Sequence, residues 1–303
     1  MPIPAKKNDI YTGIALAVLA TIIWSGNFIV ARGVSQRIGP VSLAFFRWVT
    51  ATVIIAPFAW KSFQREKAVI SANKQYLFWT ALTGITVFNT CVYVAGHYTS
   101  AINLALIGTT SSPVFSTVMA VVFLKEKMGT ARIAGFLLCI AGIVFLISRG
   151  SWSILAAFHF SRGDLWVIGG ALAFAVYSIL VRKKPAGLSA MSFLFVLFMI
   201  GTLMLVPPFL IEWSQAASVR WDASLIGIIL YLGAGASVAA FLCWNVALEK
   251  LGAGRTVLFG NLIPIFSVWE AVIFLQEQIT IIHLISGALV ITGLIIANLR
   301  KPG

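Results

Sequence analysis

The sequence predicts an all-α integral membrane protein in which ten transmembrane helices form two inverted five-helix repeats. Of its 303 residues, 60% are hydrophobic and 10% are charged, whereas about 25% of the residues of an ordinary soluble domain are charged. Apolar stretches long enough to cross roughly 30 Å of hydrocarbon recur along the chain. Because an exposed sheet edge in lipid would leave backbone groups without hydrogen-bond partners, we expect these stretches to be helices.

The apolar stretches can be counted in order along the chain. The first continues without a break into Trp24 and Asn27, which predicts a retained helix and not a cleaved signal peptide. The fifth, sixth and tenth stretches are short, so their ends are the least defined. The predicted helices cover residues 11–30, 40–60, 76–96, 101–124, 133–148, 165–181, 190–211, 224–247, 256–275 and 281–299.

An internal repeat divides these helices into two sets of five. PVFSTVMAVVFLKE, which starts at Pro113, reappears 151 positions later as PIFSVWEAVIFLQE from Pro264, with eight identities in fourteen. A repeat with an odd number of helices must enter the bilayer from opposite sides in its two copies, as in many secondary transporters. We therefore predict one transport unit made of residues 1–150 and 151–303. The glutamates that end the two copies, Glu126 and Glu277, are expected to cap helix ends.

The basic residues predict the orientation. If the N-terminus is cytoplasmic and the helices alternate, sixteen of the 22 Lys and Arg residues face the cytoplasm, five face the other side, and Arg47 lies within a helix. This bias predicts a multi-pass membrane protein with both termini in the cytoplasm. It also accounts for the net charge of +13 without a nucleic-acid partner.

Polar residues next to prolines mark one candidate site. Helix four carries Thr109, Thr110 and Ser111 just before Pro113, and helix nine carries Asn261 just before Pro264. Proline removes a backbone hydrogen bond, and broken helices at matching places in two halves are typical of a transport site. Alternatively, the hydroxyl groups bond back to their own helix and support a kink.

Other inward-facing candidates are amide and aromatic side chains. Asparagine within a membrane is costly unless it faces protein or water, so each amide either contacts substrate or joins two helices. The aromatic candidates Trp24 and Tyr177 have an alternative role in the interfacial belt. The candidates of this kind are Trp24, Asn27, Asn89, Tyr93, Tyr177 and Trp244.

Arg47 and Glu270 are the two charged residues predicted to lie well inside helices. Counted from the outer ends of helices two and nine, they lie at similar depth, so an ion pair between them is one hypothesis. The alternative for Arg47 is that it snorkels to the outer headgroups. Glu270 is the intramembrane carboxylate available to carry a coupling proton, and a structural role is favoured over that one.

An enzyme is disfavoured. The three histidines lie at helix ends or in a loop, and the chain contains neither an HExxH nor a GxSxG motif. No catalytic residue, metal site or cofactor is therefore predicted.

Several motifs together resemble a known family. These are FFRW at residues 45–48, the duplicated P-x-F-x7-FLxE pattern, and the five-helix unit that carries it. The chain resembles the EamA-type branch of the drug/metabolite transporter superfamily over essentially its whole length. That resemblance implies ten helices, a central cavity between the halves, alternating access, and export of amino acids and similar metabolites from the bacterial cytoplasm.

The expected substrates are amino acids, aromatic and other neutral, and related small metabolites. Another neutral metabolite or drug is an alternative, whereas a phosphate-linked antiporter should present more cationic groups than Arg47 to its substrate. The expected partners are the substrate and membrane lipid, with the chain a monomer or a weak homodimer.

Overall fold

A computed structural model describes residues 7–124, 129–151, 153, 161–215, 219–251, 256 and 259–298. Every regular element in that part of the chain is helical. The principal helices of the first half are α1 (Lys7–Gly33), α2 (Pro40–Arg65), α3 (Lys74–Gly96), α4 (Ala101–Leu124) and α5 (Thr130–Ile147). A short helix, Lys67–Ala72, lies between α2 and α3.

The second half of the chain is also helical where the structure describes it. Its principal helices are α6 (Arg162–Arg182), α7 (Ala190–Gln215), α8 (Ala223–Leu230, continued by Tyr231–Ala239 and Ala240–Leu251), α9 (Ile263–Leu275) and α10 (Ile281–Asn298). A π-helical segment interrupts α3 at Leu82–Val87, and another forms the middle of α8 at Tyr231–Ala239. Neither segment can be anticipated from apolar periodicity, because both are as apolar as the helix around them.

Six helices are long and apolar enough to cross a membrane by length and composition: α1, α2, α3, α6, α7 and α8. Three shorter apolar helices, Ile133–Leu146, Gly260–Leu275 and Ile281–Ile296, accompany them in the described part of the chain. The chain is therefore a multi-pass membrane protein. The full count of ten crossings stays a prediction.

Pro113 and Pro264, the two prolines of the repeat, occupy different positions within their helices. Helix α4 runs from Ala101 to Leu124 without a break at Pro113, whereas a kink at this proline stays a prediction. In the second half a 3₁₀ turn, Gly260–Leu262, precedes α9, and Pro264 lies in the first turn of that helix. Proline fits a first turn because the N–H it lacks has no partner there anyway.

The helices pack in a defined order around a shared core. Extensive contacts join α2 to α7, α5 to α10, α1 to α8, α3 to α6, α4 to α6, α1 to α9 and α4 to α9. The two short, glycine-containing helices α5 and α10 therefore pack against each other. A Cβ atom at Gly293 would lie 2.5 Å from the carbonyl oxygen of Gly135, so this contact needs a residue without a side chain.

Two glutamates, Glu66 just after α2 and Glu212 near the end of α7, each cap the start of the other helix. The Glu212 carboxylate accepts hydrogen bonds from the backbone N–H groups of Val41 (3.1 Å) and Ser42 (2.6 Å) at the start of α2. The Glu66 carboxylate accepts from the backbone N–H of Ser189 (3.0 Å), just before α7. Helix N-termini leave such N–H groups free and favour negative charge.

The cap predicted for Glu277 is confirmed. Its carboxylate accepts hydrogen bonds from the backbone N–H groups of Ala101 (2.8 Å) and Ile102 (3.1 Å) at the start of α4. Its counterpart in the first copy, Glu126, lies outside the described residues.

Candidate functional site

A buried arginine lies at the centre of the polar interior. Arg47 of α2 is only 6% exposed. Its Nη1 donates to the side-chain oxygens of Asn27 (2.6 Å) and Asn89 (2.9 Å) and to the hydroxyl of Tyr93 (2.8 Å). Its Nε donates to the hydroxyl of Ser237 (2.9 Å). Three predicted site residues, from α1 and α3, therefore meet at one cation together with a serine from α8.

This arrangement corrects both hypotheses for Arg47. It does not snorkel, since its side chain is enclosed by protein, and it forms no ion pair with Glu270 within the described part of the chain. All four of its hydrogen-bond acceptors are neutral. Its Nη2 atom makes no hydrogen bond to any residue that the structure describes.

The side chains that accept hydrogen bonds from Arg47 are held in place by further hydrogen bonds of their own. Asn89 follows the π-helical segment of α3, and its Nδ2 faces the carbonyl oxygens of Gly84 (3.4 Å) and Ile85 (3.5 Å) in that segment. The hydroxyl of Tyr93 donates to Oδ1 of Asn27 (3.0 Å). Backbone carbonyl groups of the π-helical segment therefore accept from the Asn89 side-chain nitrogen. This contact directs the Asn89 side-chain oxygen at the guanidinium of Arg47.

Glu270 of α9 is held by α1. Its Oε1 lies 2.6 Å from the hydroxyl of Ser25, while its Oε2 is buried and lacks a hydrogen-bond partner in the described residues. The hydroxyl of Ser25 also lies 2.6 Å from the carbonyl oxygen of Ile22. Glu270 is therefore a carboxyl group inside the bundle without a cationic partner among the described residues.

Gly26 lies between Ser25 and Asn27 on α1, and it allows α8 to approach α1 closely. The Tyr231 hydroxyl donates to the carbonyl oxygen of Ile23 (2.5 Å). A Cβ atom at position 26 would lie 2.1 Å from that hydroxyl oxygen. Tyr231 can therefore reach the α1 backbone only because residue 26 has no side chain.

Aromatic side chains of α1 and α8 form a cluster beside this contact. The ring of Trp24 lies 5.2 Å from that of Trp244 and 5.9 Å from that of Phe241, between centroids. Its Nε1 donates to the carbonyl oxygen of Ala236 in the π-helical segment of α8 (3.0 Å). The two predicted tryptophans are thus brought together between α1 and α8.

The polar residues predicted on α4, Thr109 to Ser111, differ in their hydrogen bonding. Thr109 donates back to the carbonyl oxygen of Ala105 (2.6 Å), as expected for support of its own helix. Thr110 and Ser111 are buried, and the Thr110 hydroxyl has no hydrogen-bond partner among the described residues. Thr110 therefore has a fully buried hydroxyl that no described residue uses.

The remaining predicted residues lie apart from Arg47. Tyr177 of α6 packs its ring against Gly84, where a Cβ atom would lie 2.2 Å from it. Asn261 is half-buried in the 3₁₀ turn before α9. Neither residue hydrogen-bonds to the Arg47 cluster, although the sequence grouped both with the site, Asn261 by its place before Pro264 and Tyr177 as an aromatic residue within a helix.

Sequence analysis missed Ser237, Ser25 and Tyr231 as parts of this interior. The signal for Ser237 was the run of small residues GAGAS at 233–237, which is typical of a helix that other helices approach closely. The signal for Ser25 was its position between Trp24 and Asn27.

Comparison with known proteins identifies the family and the fold of the chain. The model of the EamA-like transporter family matches the chain twice, over residues 11–148 and 161–299. A solved crystal structure with 17% sequence identity superimposes with a TM-score of 0.63 and covers 97% of each chain. At this identity the likeness shows the fold alone.

Curated relatives cover nearly the whole chain. An uncharacterized transporter of Archaeoglobus fulgidus is 27% identical over 94% of this chain and 97% of its own. A probable terminal-alkyne amino-acid exporter of Streptantibioticus cattleyicolor is 26% identical, over 94% of this chain and 93% of its own. A WAT1-related protein of Arabidopsis thaliana is 27% identical, over 94% and 80% respectively.

Proposed function

The chain belongs to the EamA-like transporter family, and on that premise we propose that it exports amino acids, aromatic and other neutral, from the cytoplasm. Related small metabolites share the route. Export proceeds by alternating access through a central cavity between two inverted halves. The observation that carries the proposal is Arg47, a buried cation whose hydrogen-bond acceptors are all neutral.

The Arg47 cluster suits a carboxylate. A charge buried without a counter-ion is costly, and an arginine fork binds carboxylates well. Nη2, which the described residues leave without a hydrogen bond, is the atom that would take the substrate carboxylate. The four neutral acceptors hold the guanidinium in place without competing as counter-ions, so the cluster is prepared for an anion that enters and leaves.

The aromatic cluster suits an apolar side chain. Trp24 and Trp244 supply large flat surfaces next to α1, and such rings bind apolar or aromatic groups in pockets that contain few polar groups. The relative from Streptantibioticus cattleyicolor is named as an amino-acid exporter, which supports the same substrate class.

The packing order supports the inverted repeat. The exchange that tests this replaces each helix by the one five places away, so that α1 becomes α6, α2 becomes α7, and so on. Under this exchange the packed pairs α2–α7, α5–α10 and α4–α9 are unchanged. The pair α1–α8 becomes α3–α6, and the pair α1–α9 becomes α4–α6, both of which are also packed pairs. The π-helical segments of α3 and α8 are also matched by this exchange. A pseudo-twofold relation of this kind is the basis of alternating access in many transporters.

The proposal includes the membrane and the orientation. We place the chain in a bacterial inner membrane with both termini in the cytoplasm, as a monomer or weak homodimer. Cysteine introduced at Ser71 should then react with an impermeant reagent only from the cytoplasmic side, and cysteine at Ser153 only from outside. Labelling of both positions from the same side would contradict the inverted topology.

Flux measurements test the substrate class. Proteoliposomes loaded with labelled phenylalanine should release it faster than protein-free vesicles. Unlabelled phenylalanine should compete, whereas phenethylamine, which lacks the carboxylate, should compete at least tenfold less well. Equal competition by the two compounds would remove Arg47 as a carboxylate site, and no phenylalanine flux would contradict the proposed substrate.

A further inference from the structure

The hydroxyl of Ser25 has more hydrogen-bond contacts than it has hydrogens to donate. Its oxygen lies 2.6 Å from the carbonyl oxygen of Ile22 and 2.6 Å from Oε1 of Glu270. A serine hydroxyl carries one hydrogen, and a backbone carbonyl oxygen can only accept. Both contacts can be separate two-centre hydrogen bonds at once only if Ser25 donates to Ile22 and Glu270 itself donates to Ser25.

From this geometry we propose that Glu270 is a proton-binding site of the transporter and carries a proton on Oε1 in this conformation. The other carboxyl oxygen is buried without a partner among the described residues. A neutral carbonyl oxygen tolerates that position far better than half of a carboxylate charge does, because burying an unpaired charge costs much more than burying an unpaired dipole. Burial and hydrogen-bond direction therefore agree.

Among the residues that the structure describes, the groups around Glu270 offer it no cation. On α1, the charged residues Lys7, Asp9 and Arg32 lie at the two ends of the helix, where Asp9 contacts Lys250. The sequence of α4 contains no ionisable residue. His283 lies at the start of α10 and contacts Thr280. Tyr231 of α8 also reaches α1 near this site, where its hydroxyl donates to the carbonyl oxygen of Ile23.

Release of the proton requires a rearrangement. When the O–H bond of Glu270 breaks, the proton must leave to water, and the Ser25 hydroxyl must turn from Ile22 to donate to Oε1. Oε2 would then be a charged, buried and unpaired atom, so the ionised form favours a conformation in which α9 exposes this group. Binding of a proton and closure around Glu270 thereby become linked equilibria.

The proton site itself is inferred from the hydrogen-bond geometry alone, whereas its coupling to export rests on the proposed function. Infrared spectroscopy of the purified protein tests the site without any substrate. At neutral pH the parent should show the C=O band of a protonated carboxylic acid, and Glu270→Gln should lose it. The control Glu277→Gln, which changes a carboxylate at the outer end of α9, should keep it.

A second variant covers the case in which Glu270→Gln fails to fold. In Ser25→Ala, the acid loses the oxygen to which it donates, so its C=O band should shift to higher frequency. Absence of the band from the parent, or a band that neither variant changes, would overturn the proposal.

Proteoliposomes test the coupling. A pH gradient, acidic outside, should stimulate phenylalanine efflux by the parent several-fold, and Glu270→Gln should abolish that stimulation while it retains downhill exchange. A parent that transports phenylalanine without any response to the gradient would contradict coupling but leave export intact. Stimulation that persists in Glu270→Gln would show that the coupling proton binds elsewhere.

Discussion

Ser25 and Asn27 lie two residues apart on α1 and hold Glu270 and Arg47 on different sides of that helix. The Ser25 hydroxyl lies 2.6 Å from Glu270, and Oδ1 of Asn27 lies 2.6 Å from Nη1 of Arg47. Each residue turns an α-helix by about 100°, so side chains two residues apart point in nearly opposite directions. The helix itself therefore separates the two ionisable groups, and each has a separate set of neutral partners.

Arg47→Lys tests whether the forked guanidinium organises the interior. A lysine keeps the charge but cannot contact Asn27, Asn89 and Ser237 at once, because its ammonium is a single point on a flexible stem. We expect thermal unfolding in detergent to show a loss of about 2–4 kcal/mol, since more than one charge-assisted hydrogen bond disappears. Arg37→Lys, at an exposed ion pair with Asp222, should change stability by less than about 1 kcal/mol. Equal effects of the two changes would contradict a central role for Arg47.

Gly26→Ala tests the approach of α8 to α1. The new methyl group would meet the Tyr231 hydroxyl oxygen, which lies 2.1 Å from the Cβ position, so we expect a loss of about 1–3 kcal/mol from overpacking. Tyr231→Phe removes that oxygen, and the double variant should recover part of the loss. Gly169→Ala is the matched control, because a Cβ atom there meets nothing within 4 Å. It should leave stability unchanged or raise it by up to about 1 kcal/mol.

Glu66→Gln tests the cap on α7 through its dependence on pH. Burial raises the pKa of Glu66, but hydrogen bonds from Ser189 and Ser192 and the charge of Arg65 together hold that pKa below its ordinary value of 4.5. A lowered pKa means that the carboxylate stabilises the fold above the ordinary value, and that this contribution is lost as pH falls through the lowered pKa. The variant should therefore melt below the parent at pH 7, and the gap should close in acid. A gap that is independent of pH would show that charge is not involved.

Thr110→Val separates a substrate contact from a structural role. The Thr110 hydroxyl is buried without a partner among the described residues, so its removal should leave stability equal or slightly higher. If the hydroxyl contacts substrate, phenylalanine flux should fall several-fold in the same variant. Thr109→Val is the control, because that hydroxyl bonds back to its own helix, and it should transport like the parent. Unchanged flux in Thr110→Val would remove this residue from the site.

Much of the interior was predictable from residue type. Asn27, Asn89 and Tyr93 were expected to face inward because amide and hydroxyl groups are costly in lipid, and all three contact Arg47. The partners of each group were not predictable, since depth along a helix follows from counting residues whereas rotation about its axis does not. For this reason the hypothesis of an ion pair between Arg47 and Glu270 was wrong for the described residues.

The sequence by itself determined that this chain lies in a membrane, that it is helical, and that a unit near its middle recurs near its end. These properties depend on composition, on the length of apolar runs and on direct repetition, all of which can be counted along the chain. Only the tertiary structure decided that Ser25 binds Glu270, that Ser237 joins the Arg47 cluster, and that α3 and α8 contain π-helical segments. Those features arise where helices distant in sequence meet, because there the backbone adjusts to bring buried polar groups within hydrogen-bonding distance.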